Sequence, residues 1–175
     1  SFLNMASFAE CLKTSVAGEA LIARWFIRQG YSVLPAYEVN TRGKGPRLFT
    51  PNGELIAPDM FIFNDSTAAW IEAKNKTGFT WHRVSRTWQT GIDYHCWTDY
   101  LRLEMSDSWD VWIMFIQMPM DEPGAPPPGL YGNSARALSS SIHHRGRNEK
   151  GAAMVYWTVD SLQFHATLDE LHCAS

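Results

Sequence analysis

Two short apolar segments joined by a four-residue turn cluster constrain this chain more than any other feature. Leu55 to Phe63 and Ala68 to Lys74 read as strands, and Asn64-Asp65-Ser66-Thr67 between them is rich in turn formers. A turn symmetric about Asp65-Ser66 places Phe63 opposite Ala68, Phe61 opposite Trp70, and Asp59 opposite Glu72. Side chains alternate across a strand, so Asp59, Phe61, Phe63, Trp70, Glu72 and Lys74 share one face. Met60, Ile62, Ala69, Ile71 and Ala73 share the other. Both faces are largely apolar. That predicts a hairpin covered on both sides, as at the centre of an α/β sheet.

Such a hairpin creates an electrostatic conflict. Directly opposed residues hold their Cβ atoms roughly 4.5–5.5 Å apart, and like charges there are destabilising. Two carboxylates among apolar neighbours raise a pKa and share a proton unless a cation neutralises them. A divalent metal resolves the conflict, and an all-oxygen donor set suits Mg²⁺ or Mn²⁺ rather than zinc. Lys74 lies two residues beyond Glu72 and so points to the same side. From there it can stabilise charge developing on a phosphoryl group or help to place an attacking water. The plainer alternative is a partly exposed hairpin with a cross-strand ion pair, against which the apolar character of both faces argues.

The remaining pattern surrounds this hairpin with mixed elements. About Ala6 to Gln29 reads as a helix stopped by Gly30. Leu12, Ile22, Ala23 and Phe26 form its apolar stripe, with Glu19 set among them. Tyr31 to Val39 reads as a strand, and Thr41 to Gly53 as a loop carrying Arg42, Lys44 and Arg47. About Arg83 to Leu103 reads as a helix despite Gly91, and Val111 to Gln117 as an apolar strand. Residues 119–150 read as irregular, Pro/Gly-rich at first and then basic. Met154 to Val159 reads as a last strand before a short C-terminal helix. The order implies one domain over residues 1–175 with a mixed central sheet flanked by helices.

Pro58-Asp59, a turn, and then Glu72-Ala73-Lys74 resemble the signature of the PD-(D/E)XK nucleases. Glu19 in Gly18-Glu19-Ala20 resembles the early helical glutamate of that family, and Gln89 a glutamine often found after the hairpin. The resemblance spans about Gly18 to Leu103. It departs from the exonuclease-like Gln-x-x-x-Tyr pattern, because the fourth residue after Gln89 is Asp93. The resemblance implies a restriction-endonuclease-like α/β core of order αβββαβ and Mg²⁺-dependent phosphodiester hydrolysis, with Mn²⁺ able to substitute. It also implies metal ligation by Asp59, Glu72 and the Ala73 carbonyl, with Glu19 on a second ion or its water, and catalytic roles for Lys74 and Gln89. DNA is the expected partner, and pairing into a homodimer accompanies the family resemblance.

Bulk properties limit how nucleic acid could be held. The net charge is -3 and the pI about 6.0, unlike a general nucleic-acid coat protein, so phosphate contacts must come from a local patch. Arg42, Lys44, Arg47, Lys76, Arg83 and Arg86 are candidates for it, with ordinary solvation as the competing reading. His143-His144-Arg145-Gly146-Arg147 reads as a flexible polar loop or as a phosphate or metal contact. Of Trp81, Trp88 and Trp97, at least two are expected in the core and the remainder is free to stack on bases. An odd set of three cysteines without CxxC points to a reducing, cytoplasmic setting. No apolar run approaches a membrane span, and Ser1 to Met5 does not open a signal peptide. Two other functions fit the same residues: a catalytically inactive nuclease fold serving as a DNA-binding or assembly module, and a phosphoesterase for small substrates.

Overall fold

The computed structural model describes residues 17–36, 45–75, 78–106 and 109–173. Helix α1 (Ala17–Arg28) leads into β1 (Ser32–Pro35), a hairpin of β2 (Arg47–Thr50) and β3 (Gly53–Ile56), and a second hairpin of β4 (Met60–Phe63) and β5 (Ala68–Asn75). Then come β6 (Thr80–His82), β7 (Thr87–Asp93), α2 (Tyr94–Ser106), β8 (Asp110–Gln117), β9 (Gly129–Ser134) and α3 (Ala135–Ser139). Strands β10 (His144–Arg147), β11 (Ala153–Thr158) and β12 (Gln163–Thr167) precede a last helix, α4 (Leu168–His172).

The central sheet has the order β1-β4-β5-β8-β9-β12, and only β5 and β8 run parallel. The β4–β5 register is the one expected from the turn: Phe63 faces Ala68, Phe61 faces Trp70 and Met60 faces Ile71. The Asn64 side chain fixes that turn by accepting from the Ser66 and Thr67 amides at 3.0 and 2.8 Å. Strand β5 is therefore interior, with β4 on one side and β8 on the other.

Each face of this sheet has its own core. Met60, Ile62, Ala69, Ile71 and Ala73 pack with Ile22, Ala23 and Phe26 of α1 and Leu171 of α4. The opposite face joins Val111, Ile113 and Phe115 to Trp97, Tyr100 and Leu103 of α2 and to Trp88, Val155 and Trp157 of a second sheet. That second sheet has the order β10-β11-β7-β6. Trp88 and Trp97 are core residues, whereas Trp81 is exposed, as the tryptophan pattern suggested.

Several expectations are corrected. Residues from Arg83 to Asp93 are not helical: a turn and strand β7 occupy them, and the helix starts only at Tyr94. Pairing to β6 on one side and β11 on the other overrides the helical reading. Gln89 consequently lies on a strand. Segment 47–50 is a strand rather than a loop, and Arg47 makes a 3.4 Å ion pair with Glu54 across that hairpin. The strand expected over Leu55 to Phe63 breaks at Ala57-Pro58-Asp59 into β3 and β4, since proline cannot donate to a ladder. Segment 119–150 is not one irregular loop, because it supplies β9, α3 and β10. Strand β12 carries no recognisable pattern in the sequence and completes the sheet edge against β9. The helix stop at Gly30 holds, with a φ of 90°. Arg42, Lys44 and Lys76 lie outside the described residues, as do the expected helical turns before Ala17 and the end of the first strand.

Gly91 shows how tightly the second sheet is stacked. A Cβ there would approach the Val155 carbonyl oxygen to 2.3 Å and the Tyr156 ring to 2.7 Å. Gly91→Ala is expected to cost about 1–3 kcal/mol through overpacking. It should lower the urea midpoint without changing the slope of the transition.

Candidate active site

The break at Ala57-Pro58-Asp59 sets Asp59 at the mouth of β4, one residue before the ladder begins. Its Oδ2 accepts the Ala73 amide at 2.8 Å, which fixes the carboxyl beside the end of β5. Glu72 points into the core that holds α2 and is only 3% exposed. Lys74 forms an ion pair with Glu72 Oε1. Tyr100, buried on α2, lies within electrostatic reach of Glu72, and burial with that charge raises its pKa. Glu19, in the first turn of α1, is half-buried and lies within electrostatic reach of Asp59, Glu72 and Lys74. Elements from both cores thus converge on the C-terminal half of β5.

The electrostatics match this crowding. Burial, then the charges of Glu72 and Glu19, push Asp59 from 3.8 up to about 8, opposed by the Ala73 amide and Lys74. Burial and Glu72 raise Glu19 as well, while Lys74 pulls it back. Burial alone would depress Lys74, but the charge and hydrogen bond of Glu72, with Asp59, outweigh it and hold the ammonium above its usual range. Burial pushes the Cys96 thiol up, against the nearby Lys74 ammonium. Three carboxyl groups therefore share one lysine in a partly buried setting, which is a shortage of positive charge.

The structure brings Glu19, Asp59, Glu72, Ala73 and Lys74 together. It does not link Gln89 to them by any described contact. Gln89 is buried on β7, opposite Thr80 and Thr158, and its Oε1 has no hydrogen-bond partner among the described residues. Arg83 and Arg86 are exposed in the β6–β7 turn. Two residues beside the acids escaped the sequence reading: Cys96 and Tyr100. They lie four apart on one face of α2, and Tyr100 joins Leu103 in the core. That spacing was the available signal.

Among the described residues no three acidic, histidine or cysteine side chains form a ready metal cage. Lys74 leans on Glu72 instead, and Asp59 turns one oxygen to the Ala73 amide. The donor set nevertheless fits a hard divalent cation, because every candidate ligand is an oxygen and the carboxylates outnumber the lysine. No helix of the described chain is long and apolar enough to cross a membrane.

The mixed sheet flanked by helices is a restriction-endonuclease-like fold. The chain resembles Hjc of Archaeoglobus fulgidus, a Holliday junction resolvase, with a TM-score of 0.50. The aligned parts cover 82% of this chain and 88% of that one at 10% identity, so the likeness concerns the fold. No protein-family model matches the sequence, and no curated protein does.

The raised Asp59 pKa gives a pH signature. The folded protein keeps a proton between pH 3.8 and about 8 that the unfolded chain has released. Stability without divalent metal should therefore fall as pH rises through that window, by at most about 1.4 kcal/mol per unit. Asp59→Asn removes the burden. In EDTA the variant should melt above the wild type at pH 8 and approach it near pH 4; identical melting profiles at both pH values would contradict the assignment.

Proposed function

We propose that this protein is a metal-dependent nuclease that hydrolyses phosphodiester bonds in DNA. The observation that carries the reading is the convergence of Asp59, Glu72 and Glu19 on Lys74 within a restriction-endonuclease-like fold. Asp59, Glu72 and the Ala73 carbonyl would hold Mg²⁺ or Mn²⁺, with Glu19 on a second ion or its water. When bound, the ion supplies Lewis acidity and a more acidic water.

The chain's own groups divide the remaining work. The Ala73 amide keeps the Asp59 carboxyl directed at the site. Lys74 stays protonated near neutrality, because Glu72 and Asp59 raise its pKa. It therefore acts as a positive charge on the scissile phosphate, where negative charge builds in the transition state, and not as a base. The name of the structural neighbour supports four-way DNA junctions as the first substrate to try, beside linear duplex and single strands.

The assay is cleavage of these substrates with Mg²⁺ or Mn²⁺ and with EDTA. Asp59→Asn and Glu72→Gln should abolish turnover. Lys74→Met should lower kcat on the order of 10²–10³-fold, the usual size of a lost transition-state charge contact, while substrate affinity changes little. Cleavage in EDTA, or full activity in Asp59→Asn, would overturn the reading. Binding without turnover in the wild type would favour an inactive fold used for DNA binding.

A further inference from the structure

A cavity lies on the face of the central sheet that α1 covers, away from the acids. It measures about 450 Å³ and is bounded by Trp25 and Gln29 at the end of α1, Ala69 and Ile71 early in β5, and Asp110 and Trp112 at the start of β8. Glu72 projects from the other face of β5, into the core that holds α2. The space is of the size that small-molecule sites occupy, roughly 300–1,000 Å³. None of the residues in the candidate active site borders it.

The walls are chemically one-sided. Trp25, Tyr31 and Trp112 supply aromatic surface, and Asp110 supplies a carboxylate at the exposed rim. No lysine or arginine is among the lining residues. Arg28, in the last turn of α1, is engaged elsewhere: it donates to the Glu170 and Leu171 carbonyls at 2.6 and 3.1 Å. His165 makes edge contacts with both indoles, its ring centre 6.2 Å from Trp25 and 5.8 Å from Trp112. Those contacts set the indoles before anything binds. Burial holds the imidazole below its usual pKa, against the pull of the Gly132 carbonyl, so it is uncharged at neutral pH. Its Nε2 lies 3.2 Å from the Gly132 oxygen, which can only accept. The proton therefore sits on Nε2, and Nδ1 is an acceptor. The cavity also adjoins the C-terminal end of α1, the negative end of the helix dipole.

We propose that this cavity is a binding site for a small organic ammonium ion. Aromatic faces attract a cation, most strongly where it is stripped of water. Asp110 and the helix end add negative potential, and the neutral His165 does not oppose it. An anion would meet the same carboxylate and the same helix end with the wrong sign. A neutral apolar molecule would gain the ring surface alone. The inference does not depend on the nuclease reading, because the two sites share no residue.

The full chain should be titrated with choline, with tetramethylammonium and with the uncharged carbon isostere of choline (a dimethylbutanol). Tryptophan fluorescence and calorimetry at constant ionic strength are the readouts. Both cations should bind saturably, and the isostere on the order of tenfold more weakly. Asp110→Asn alters an exposed side chain, so it should weaken choline binding to a similar degree while the melting temperature stays unchanged. Trp112→Leu should weaken it as well. Trp81→Leu removes an exposed indole on the second sheet and should leave choline binding as it is. Equal binding of choline and its isostere, no saturable binding of either cation, or full choline affinity in Asp110→Asn would overturn the proposal. DNA cleavage measured on the same samples reports on the other site alone, so the two readings fail or stand separately.

Discussion

Everything around the site answers to one constraint: Asp59 and Glu72 are held as neighbours where little water reaches them. Their repulsion is not relieved by separation, because the Ala73 amide fixes the Asp59 carboxyl and Glu72 is buried on β5. It is relieved by charge. Lys74 supplies one cation, and Asp59 retains a proton to about pH 8 for want of another. A protein that keeps such a deficit gives up stability for it, and active sites are where that trade is usual.

The two cores hold this arrangement from opposite sides. Helix α1 presses on one face of β5 and brings Glu19 to its end. Helix α2 covers the other and places Tyr100 against Glu72. Glu72 and Lys74 thus stand on an interior strand with a packed core on each face, which fixes their geometry. The four-stranded sheet is outside that central sheet. Its Trp88, Val155 and Trp157 pack with Trp97 and Tyr100 of α2, so it backs the helix that stands behind Glu72.

How much was legible in the sequence follows from how local each cue was. The β4–β5 register could be read because Asn64 marks its turn and the strands alternate within one hairpin. Asp59, Glu72 and Lys74 came with it. The β6–β7 hairpin could not be read, since its turn contains no glycine, asparagine or proline. Arg86 itself adopts a positive φ of 53°, where such a residue would be the ordinary signal. Strand β10 has no apolar alternation, and only its pairing to β11, some ten residues later, makes it a strand. Tyr100 looked like any apolar-face residue of a helix until the strand beneath it was in place.

The parallel pairing of β5 to β8 has a temporal consequence. The β4–β5 hairpin closes over a few residues, and such local contacts form within microseconds. Pairing β5 with β8 closes a loop of dozens of residues and is intrinsically slower. During folding, Asp59, Glu72 and Lys74 therefore meet first in water, where their charges are screened. The later arrival of β8 and α2 dries them. On this contact-order argument the acids come together before they are buried, so their electrostatic deficit falls on the late packing step rather than on the closing of the hairpin.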